Sequence, residues 1–142
     1  KPASVHLTGF PEVRTDLLDD GLAQEWERLL GVRDEVLRAL EVARKEKRIG
    51  SAQEAAVMVQ AAGPEFEVLA GHREDLETIC IVSHLTVQRA EGGSAGQGLR
   101  VGVDRAPGQK CQRCWNYRGS VGASPAHPAL CDRCVAVLQE SQ

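Results

Sequence analysis

Four of the five cysteines form two close pairs near the end of the sequence. Cys111 and Cys114 are separated by two residues, as are Cys131 and Cys134, and sixteen residues lie between the pairs. A two-residue gap lets both sulfurs of a pair bind one side of an ion, and two pairs complete a tetrahedron at about 2.3 Å per Zn–S bond. The spacing therefore predicts one zinc ion bound by these four cysteines.

Four protein ligands leave no open coordination position, so the predicted zinc ion is structural rather than catalytic. It would stabilise a segment too short to bury a sufficient apolar core. Two disulfides or four unrelated thiols are the alternatives. We interpret His127, between the pairs, as a loop residue, and Cys80, inside an apolar run, as a buried thiol that acts as a small apolar side chain.

An aromatic residue follows the first cysteine pair and has cationic neighbours. Trp115 is one of two tryptophans in the chain, and near it in sequence are Lys110, Arg113, Arg118 and Arg133. An aromatic face beside guanidinium groups is suited to stacking an unpaired RNA base and holding its backbone. The alternative is that Trp115 only covers the metal site. Both roles are compatible, because an indole has two faces.

A second basic run, Arg44-Lys45-Glu46-Lys47-Arg48, follows a stretch with helical spacing. Its net charge is +3, and we consider phosphate contact by Arg44, Lys45, Lys47 and Arg48 as one interpretation. The alternative is a solvated helix end, because cations there are favoured by the helix dipole.

Charge is distributed unevenly along the 142 residues. Residues 1–98 carry 11 basic and 17 acidic side chains, whereas residues 99–142 carry 6 and 3. A basic tail is weak support for a nucleic-acid partner, and four zinc-bound thiolates would reduce its net charge from +3 to +1.

No apolar run approaches the roughly 18 residues of a membrane span, so we expect no membrane association. Paired cysteines without a membrane or secretion signal favour a reducing cytoplasm. A start at Lys1 predicts a fragment of a longer protein.

The periodicity of apolar residues predicts an α+β fold. The predicted elements are a connector over residues 1–21, a helix from Leu22 to about Arg48, a strand at Ala56–Val59, a helix from Pro64 to about Glu77, strands at Ile79–Val82, Leu85–Gln88 and around Val101 and Val103, and a loop over residues 91–98. Ser51 and Glu54 match a capping box, but the residues after them favour the strand. We therefore expect a long helix, a small mixed α/β unit with a short sheet, and a C-terminal zinc knuckle or ribbon with four cysteine ligands. The corresponding division is 1–50, 51–106 and 107–142.

Three stretches of the sequence resemble isoleucyl-tRNA synthetases of the bacterial type. They are "SVHLTGFPEV", "ARKEKRIGSAQEA" and the tail "PGQKCQRCWNY…HPALCDRC". The resemblance implies that residues 1–50 are a connector and the last helix of a helical anticodon-binding domain, that 51–106 are a small junction domain, and that 107–142 are a zinc domain engaging the anticodon arm of tRNA(Ile). It also matches the four cysteines to the family's zinc ligands and Trp115 to the aromatic beside them.

The resemblance further implies a monomeric parent enzyme. Its catalytic and editing domains would lie upstream of this chain. The HIGH-like and KMSKS-like signatures that use ATP are absent from the sequence, so we expect no catalytic site here. Two alternatives remain open. Related zinc fingers form the C-terminal part of certain DNA repair glycosylases, which bind duplex DNA. The tail could also be a purely structural zinc ribbon between domains.

Overall fold

In the computed structural model, residues 3–90 and 99–140 are described, and they form four helices and five strands. The predicted loop at residues 91–98 lies outside the described residues. The predicted connector contains two short 3-10 helices, Val5–Leu7 and Thr15–Leu17, and is largely exposed. The elements bear out the predicted α+β class.

Helix α1 spans Asp20–Lys45 and is the longest element described. Its start is fixed by the side chain of Asp19, which accepts a hydrogen bond from the Leu22 backbone N–H at 2.9 Å. Three- and four-residue steps place one row of side chains on a single face. The buried members of that row are Leu29, Val32, Val36, Leu40 and Ala43. Leu22 and Leu30, which lie within the predicted helix, are about half exposed.

A three-stranded mixed sheet packs against α1. Strand β1 (Ala55–Ala61) is central, β2 (His84–Arg89) runs parallel to it and β3 (Arg100–Arg105) runs antiparallel. Alternate residues of β1 are buried and share one apolar core with α1. The predicted strands at 56–59, 85–88 and 101–103 are therefore confirmed, and Ser51 begins only a short 3-10 helix, Ala52–Glu54.

Two helices connect β1 to β2, and here two sequence predictions are wrong. The single helix predicted from Pro64 to Glu77 is divided at His72 into α2 (Gly63–Gly71) and α3 (Arg73–Cys80). The strand predicted at Ile79–Val82 does not form, because α3 continues through Cys80. Leu76 and Cys80 are one helical step of four apart and both are buried, so tertiary packing outweighs the β propensity of the run.

The last part of the chain is a small unit built from strands β4 (Gln109–Lys110) and β5 (Tyr117–Arg118) and helix α4 (Asp132–Glu140). The two strands pair antiparallel. Its buried residues are Cys111, Cys131 and Cys134, which form a cluster separate from the main core. We call residues 107–140 the zinc unit. The division of the chain at residues 50 and 106 stays a prediction, since α1 and the sheet share one core.

Candidate metal centre and nucleic-acid interface

The first cysteine pair lies in the turn between β4 and β5. The backbone N–H of Trp115 donates to the carbonyl of Cys111 at 2.9 Å, and the N–H of Cys111 donates to the carbonyl of Asn116 at 2.9 Å. These two bonds fold the chain so that Cys111 and Cys114 point to the same side. Gly108 has φ +90°, which allows the strand before the turn to approach β5 closely.

The second cysteine pair lies at the start of α4. Cys131 precedes the helix and Cys134 is in its first turn, where the N–H of Val135 donates to the carbonyl of Cys131 at 3.0 Å. The helix start is fixed to the hairpin by Ser120, whose hydroxyl donates to a carboxylate oxygen of Asp132 at 2.8 Å. One helical turn therefore presents both sulfurs toward the first pair.

The four sulfur atoms meet at one point. All lie within 4.8 Å of one another, and three of the four cysteines are buried. The sulfurs of Cys114 and Cys131 are 3.8 Å apart, and all five cysteines are free thiols, so the disulfide alternative is not what the structure contains. The donor set fits one tetrahedral thiophilic ion with no open position. His127 is in a loop and belongs to no such cluster in residues 3–90 and 99–140.

The surroundings of the sulfurs affect their ionisation in opposite directions. Burial opposes charge at Cys111, but backbone N–H groups of Cys114, Cys131 and Arg113 outweigh it and lower its pKa to about 6. Burial raises the pKa of Cys131 to about 12. A closely spaced thiol cluster with one favoured thiolate is suited to a cation, which removes the repulsion among the remaining sulfurs. Cys80 differs, because burial raises its pKa to about 11 and it lies outside the cluster of four, as predicted for an inert thiol.

Trp115 projects from the metal-binding turn into solvent. Its side chain is 56% exposed, and its backbone has φ +68°, a left-handed conformation that residues other than glycine seldom adopt. Apolar contact with the three buried cysteines comes instead from Val121, Leu130 and Cys114. The ammonium of Lys110 lies 5.4 Å from the centre of the indole ring. The indole therefore has a large free surface beside a cation.

The other predicted contact residues are held in different ways. Arg113 donates to the sulfur of Cys134 at 3.8 Å, and Arg118 forms an ion pair of 2.6 Å with Glu77 of α3. Arg133 is exposed at the start of α4 and forms no ion pair within the described part of the chain. All five contact residues predicted around the cysteines thus belong to one small unit, although Arg118 is engaged by a carboxylate.

The second basic run lies where α1 ends against the sheet. Arg44 pairs with Glu41, while Arg48 pairs with Glu46 at 2.8 Å and donates to the carbonyl of Val103 in β3. Lys45 and Lys47 are exposed. The two arginines therefore have structural partners, and RNA contact by Arg44, Lys45, Lys47 and Arg48 stays a prediction.

Sequence reasoning missed the residues that attach the zinc unit to the α/β core. Ser83 is fully buried, and its hydroxyl donates to the carbonyl of Gln53 at 2.5 Å and accepts from the N–H of Tyr117 at 2.6 Å. The amide of Gln53 donates to the carbonyl of Cys114 at 3.5 Å. Together with the Glu77–Arg118 ion pair, these bonds fix the position of the zinc unit. A lone serine after an apolar run gives no sequence signal for such a role.

Comparison with known proteins agrees with this geometry. Residues 108–137 match the family model described as "Zinc finger found in FPG and IleRS". The match and the four clustered sulfurs bear out the prediction of one zinc ion. Similar curated proteins include the isoleucine–tRNA ligases of Moorella thermoacetica, at 44% identity over 99% of this chain, and of Symbiobacterium thermophilum, at 46% over 96%. This chain is homologous to a segment of isoleucine–tRNA ligases.

The isoleucine–tRNA ligase of Geobacter sulfurreducens is also similar, at 39% identity over 96% of the chain. The chain spans only 15% or 16% of the length of these three ligases. The family model covers both the ligase finger and the glycosylase type, but similarity over nearly the whole chain favours the ligase over the glycosylase alternative. Among the described helices, none is both long and apolar enough to cross a membrane.

Proposed function

We propose that this chain is a tRNA-binding region of an isoleucine–tRNA ligase and that its zinc unit contacts the anticodon arm of tRNA(Ile). In this proposal Cys111, Cys114, Cys131 and Cys134 bind one structural zinc ion. The observation that supports RNA contact most directly is the exposed indole of Trp115, held in a left-handed conformation on the metal-binding turn with Lys110 beside it.

The proposed interface uses stacking and charge together. Bases of an anticodon loop are unpaired and present their faces, so one base can stack on the free surface of Trp115. Lys110, Arg113, Arg118 and Arg133 are then near enough in the same small unit to attract the backbone phosphates. Arg44, Lys45, Lys47 and Arg48 would extend this attraction at the end of α1, toward the stem of the same arm.

In this proposal the chain positions tRNA and performs no chemistry. Activation of isoleucine with ATP, transfer to tRNA and editing would belong to other domains of a monomeric, cytoplasmic ligase. Binding energy gained far from the reacting end contributes by orienting the substrate. Loss of the zinc unit is therefore expected to impair aminoacylation more than amino-acid activation.

One observation favours a structural role in addition. The zinc unit is bonded to the α/β core through Ser83, Gln53 and Glu77, so it also braces the end of the chain. A pure brace predicts that exposed side chains such as Trp115 and Arg133 have no effect on tRNA affinity. A finger of the glycosylase type predicts tighter binding to duplex DNA than to tRNA(Ile).

The test is Trp115→Ala, with zinc content and tRNA(Ile) affinity measured on the same preparations. We expect zinc content to be unchanged and binding to weaken by about 1 to 3 kcal/mol, the range for one stacked base. Trp115→Phe keeps an aromatic face and should retain most of the affinity. Phe10→Ala, which removes a fully exposed aromatic ring from the connector, is the matched control. Equal tRNA affinity of Trp115→Ala and the unaltered chain would exclude the stacking role.

A further inference from the structure

A cleft of about 540 Å³ separates α3 from the zinc unit. One wall is formed by one face of α3 and the residues that follow it, and the other by the turn after the first cysteine pair. Cys114 and Asn116, the two sequence neighbours of Trp115, both line it, so the cleft lies next to the turn that carries the indole. Its walls are fixed to each other by the Glu77–Arg118 ion pair and by the bond from Tyr117 to Ser83.

Most of the charged groups that line the cleft are paired with one another, and Arg133 is the exception. Arg73, Arg118 and Arg133 line it, with Glu74 and Glu77 as the acidic residues. Arg73 forms ion pairs with Glu74 at 2.9 Å and with Glu77 at 3.5 Å. Glu77 is only 17% exposed and already accepts from Arg118 at 2.6 Å and from the Leu85 N–H at 3.2 Å. Arg133 is exposed and forms no ion pair in the part of the chain that the structure describes. An anionic group entering the cleft would therefore meet the guanidinium of Arg133.

Ile81 contributes an apolar surface at an energetic cost. It lines the cleft with its side chain 61% exposed, and its backbone has φ +56°. A β-branched residue is strained in this left-handed conformation, which glycine adopts freely. Folding alone does not require an isoleucine here, because the side chain is not buried. The strained position therefore presents apolar surface to the cleft.

The geometry points to a second nucleotide-binding subsite in this cleft, for the unpaired nucleotide adjacent to the one that stacks on Trp115. Its base would pack on Ile81, its phosphate would meet Arg133, and the side-chain amides of Gln53 and Asn116 would face its polar edge. A site that combines an apolar contact, polar groups and a cation matches the three parts of a nucleotide. The inference rests on the proposed RNA-binding function, since it places the second nucleotide relative to Trp115.

Two variants of the 142-residue chain test the subsite by salt-dependent binding to tRNA(Ile). Arg133→Ala should weaken binding about three- to tenfold. It should also make the dependence of log K on log salt less steep by about 0.7, the value for one phosphate of a single strand. Ile81→Gly should weaken binding about threefold or more without changing that slope, because it removes only apolar contact. Arg28→Ala on the exposed side of α1 is the control for a general loss of charge.

Photocrosslinking separates this inference from the proposed function. A tRNA anticodon-loop fragment with 4-thiouridine at successive positions is irradiated with the chain, and crosslinked peptides are identified by mass spectrometry. Crosslinks from adjacent nucleotides to Trp115 and to Ile81 or Asn116 are expected. Crosslinks to Trp115 alone, with Ile81→Gly binding as the unaltered chain does, would overturn the subsite and leave the stacking role of Trp115 standing. Absence of both RNA binding and crosslinks would overturn both.

Discussion

Three residues other than glycine have left-handed backbone conformations among residues 3–90 and 99–140. They are Lys47, Ile81 and Trp115. Lys47 and Ile81 each follow a helix end, where N–H groups of the turn bond to the last helical carbonyls. Trp115 occupies the metal-binding turn. In every case the side chain is exposed, so backbone strain is accepted without compensation from burial of that side chain.

Ile81→Gly is expected to stabilise the protein. Left-handed φ costs an L residue roughly 1 to 2 kcal/mol, and glycine does not incur this cost. Loss of a largely exposed side chain removes little apolar burial, so the expected gain in the free energy of unfolding is about 1 kcal/mol. Urea denaturation monitored by circular dichroism measures it. Ile79→Gly, in the last turn of α3, is the opposite control and should be destabilising. A loss of stability in Ile81→Gly would show that its side chain supports the fold.

Glycine is required where β4 begins. A Cβ atom on Gly108 would lie 2.5 Å from the carbonyl carbon of Arg118, and the residue has φ +90°. Gly108→Ala should therefore separate β4 from β5 and destabilise the zinc unit by at least about 1 kcal/mol. Gly119→Ala is the matched control, since a Cβ there has no neighbour within 4 Å. The readout is competition for zinc with a chromophoric chelator. Equal zinc affinity of the two variants would contradict this prediction.

His72 joins α1 to the start of α3 and makes their packing sensitive to pH. Its ring bonds to Asp75 at 2.8 Å and to Glu25 of α1 at 2.9 Å. The bond to Asp75, followed by that to Glu25, raises the pKa of His72 above its ordinary value of 6.5. A raised folded-state pKa contributes stability that is complete below the unfolded pKa and is lost as pH rises through the folded pKa.

The difference in free energy of unfolding between the unaltered chain and His72→Gln should therefore be greater near pH 6 than near pH 9. Urea titrations at a series of pH values measure this difference. His6→Gln, in the exposed connector, is the control and should leave the pH profile unchanged. A difference that is constant across this pH range would mean that the charge on His72 does not support the packing of α1 on α3.

At the scale of the whole molecule, the described residues form two apolar centres of different origin. Residues from Leu29 to Val103 form a core of ordinary side chains, whereas the zinc unit buries chiefly three cysteines. The first centre can persist without metal, but the second has too little apolar area to offset chain entropy. Trp26 packs against the first centre and Trp115 belongs to the second. Each tryptophan therefore reports on one centre.

Zinc removal should unfold the zinc unit and leave the α/β core folded. In the Trp26→Phe variant Trp115 is the only tryptophan, and addition of a chelator should change its fluorescence emission at once. In the Trp115→Phe variant Trp26 is the only tryptophan, and its fluorescence emission should change only when urea is added afterwards. Lowering the pH should release zinc as well, because protons compete for the thiolates. Simultaneous loss of both signals on chelation would show that the zinc unit is needed for the main core to form.

Local pattern determined much of this protein from the sequence. The spacing of Cys111, Cys114, Cys131 and Cys134 predicted one metal centre, because both sulfurs of a two-residue gap can bind the same ion. Apolar periodicity predicted α1, which has a regular buried face. Strand propensity predicted β1, and the alternation of Val101 and Val103 predicted β3, in which only Val103 is buried. The basic neighbours of Trp115 were also visible, because most of them lie on the same short segment.

Tertiary structure decided what depends on contacts between distant residues. Propensity favoured a strand at Ile79–Val82, but burial of Leu76 and Cys80 on one face extended α3 to Cys80. Glu77 and Arg118 are 41 positions apart, and Ser83 and Tyr117 are 34 apart, yet these pairs attach the zinc unit and form the walls of the cleft. No local pattern encodes such pairs, because their energy exists only after the α/β core has placed α3 beside the metal-binding turn.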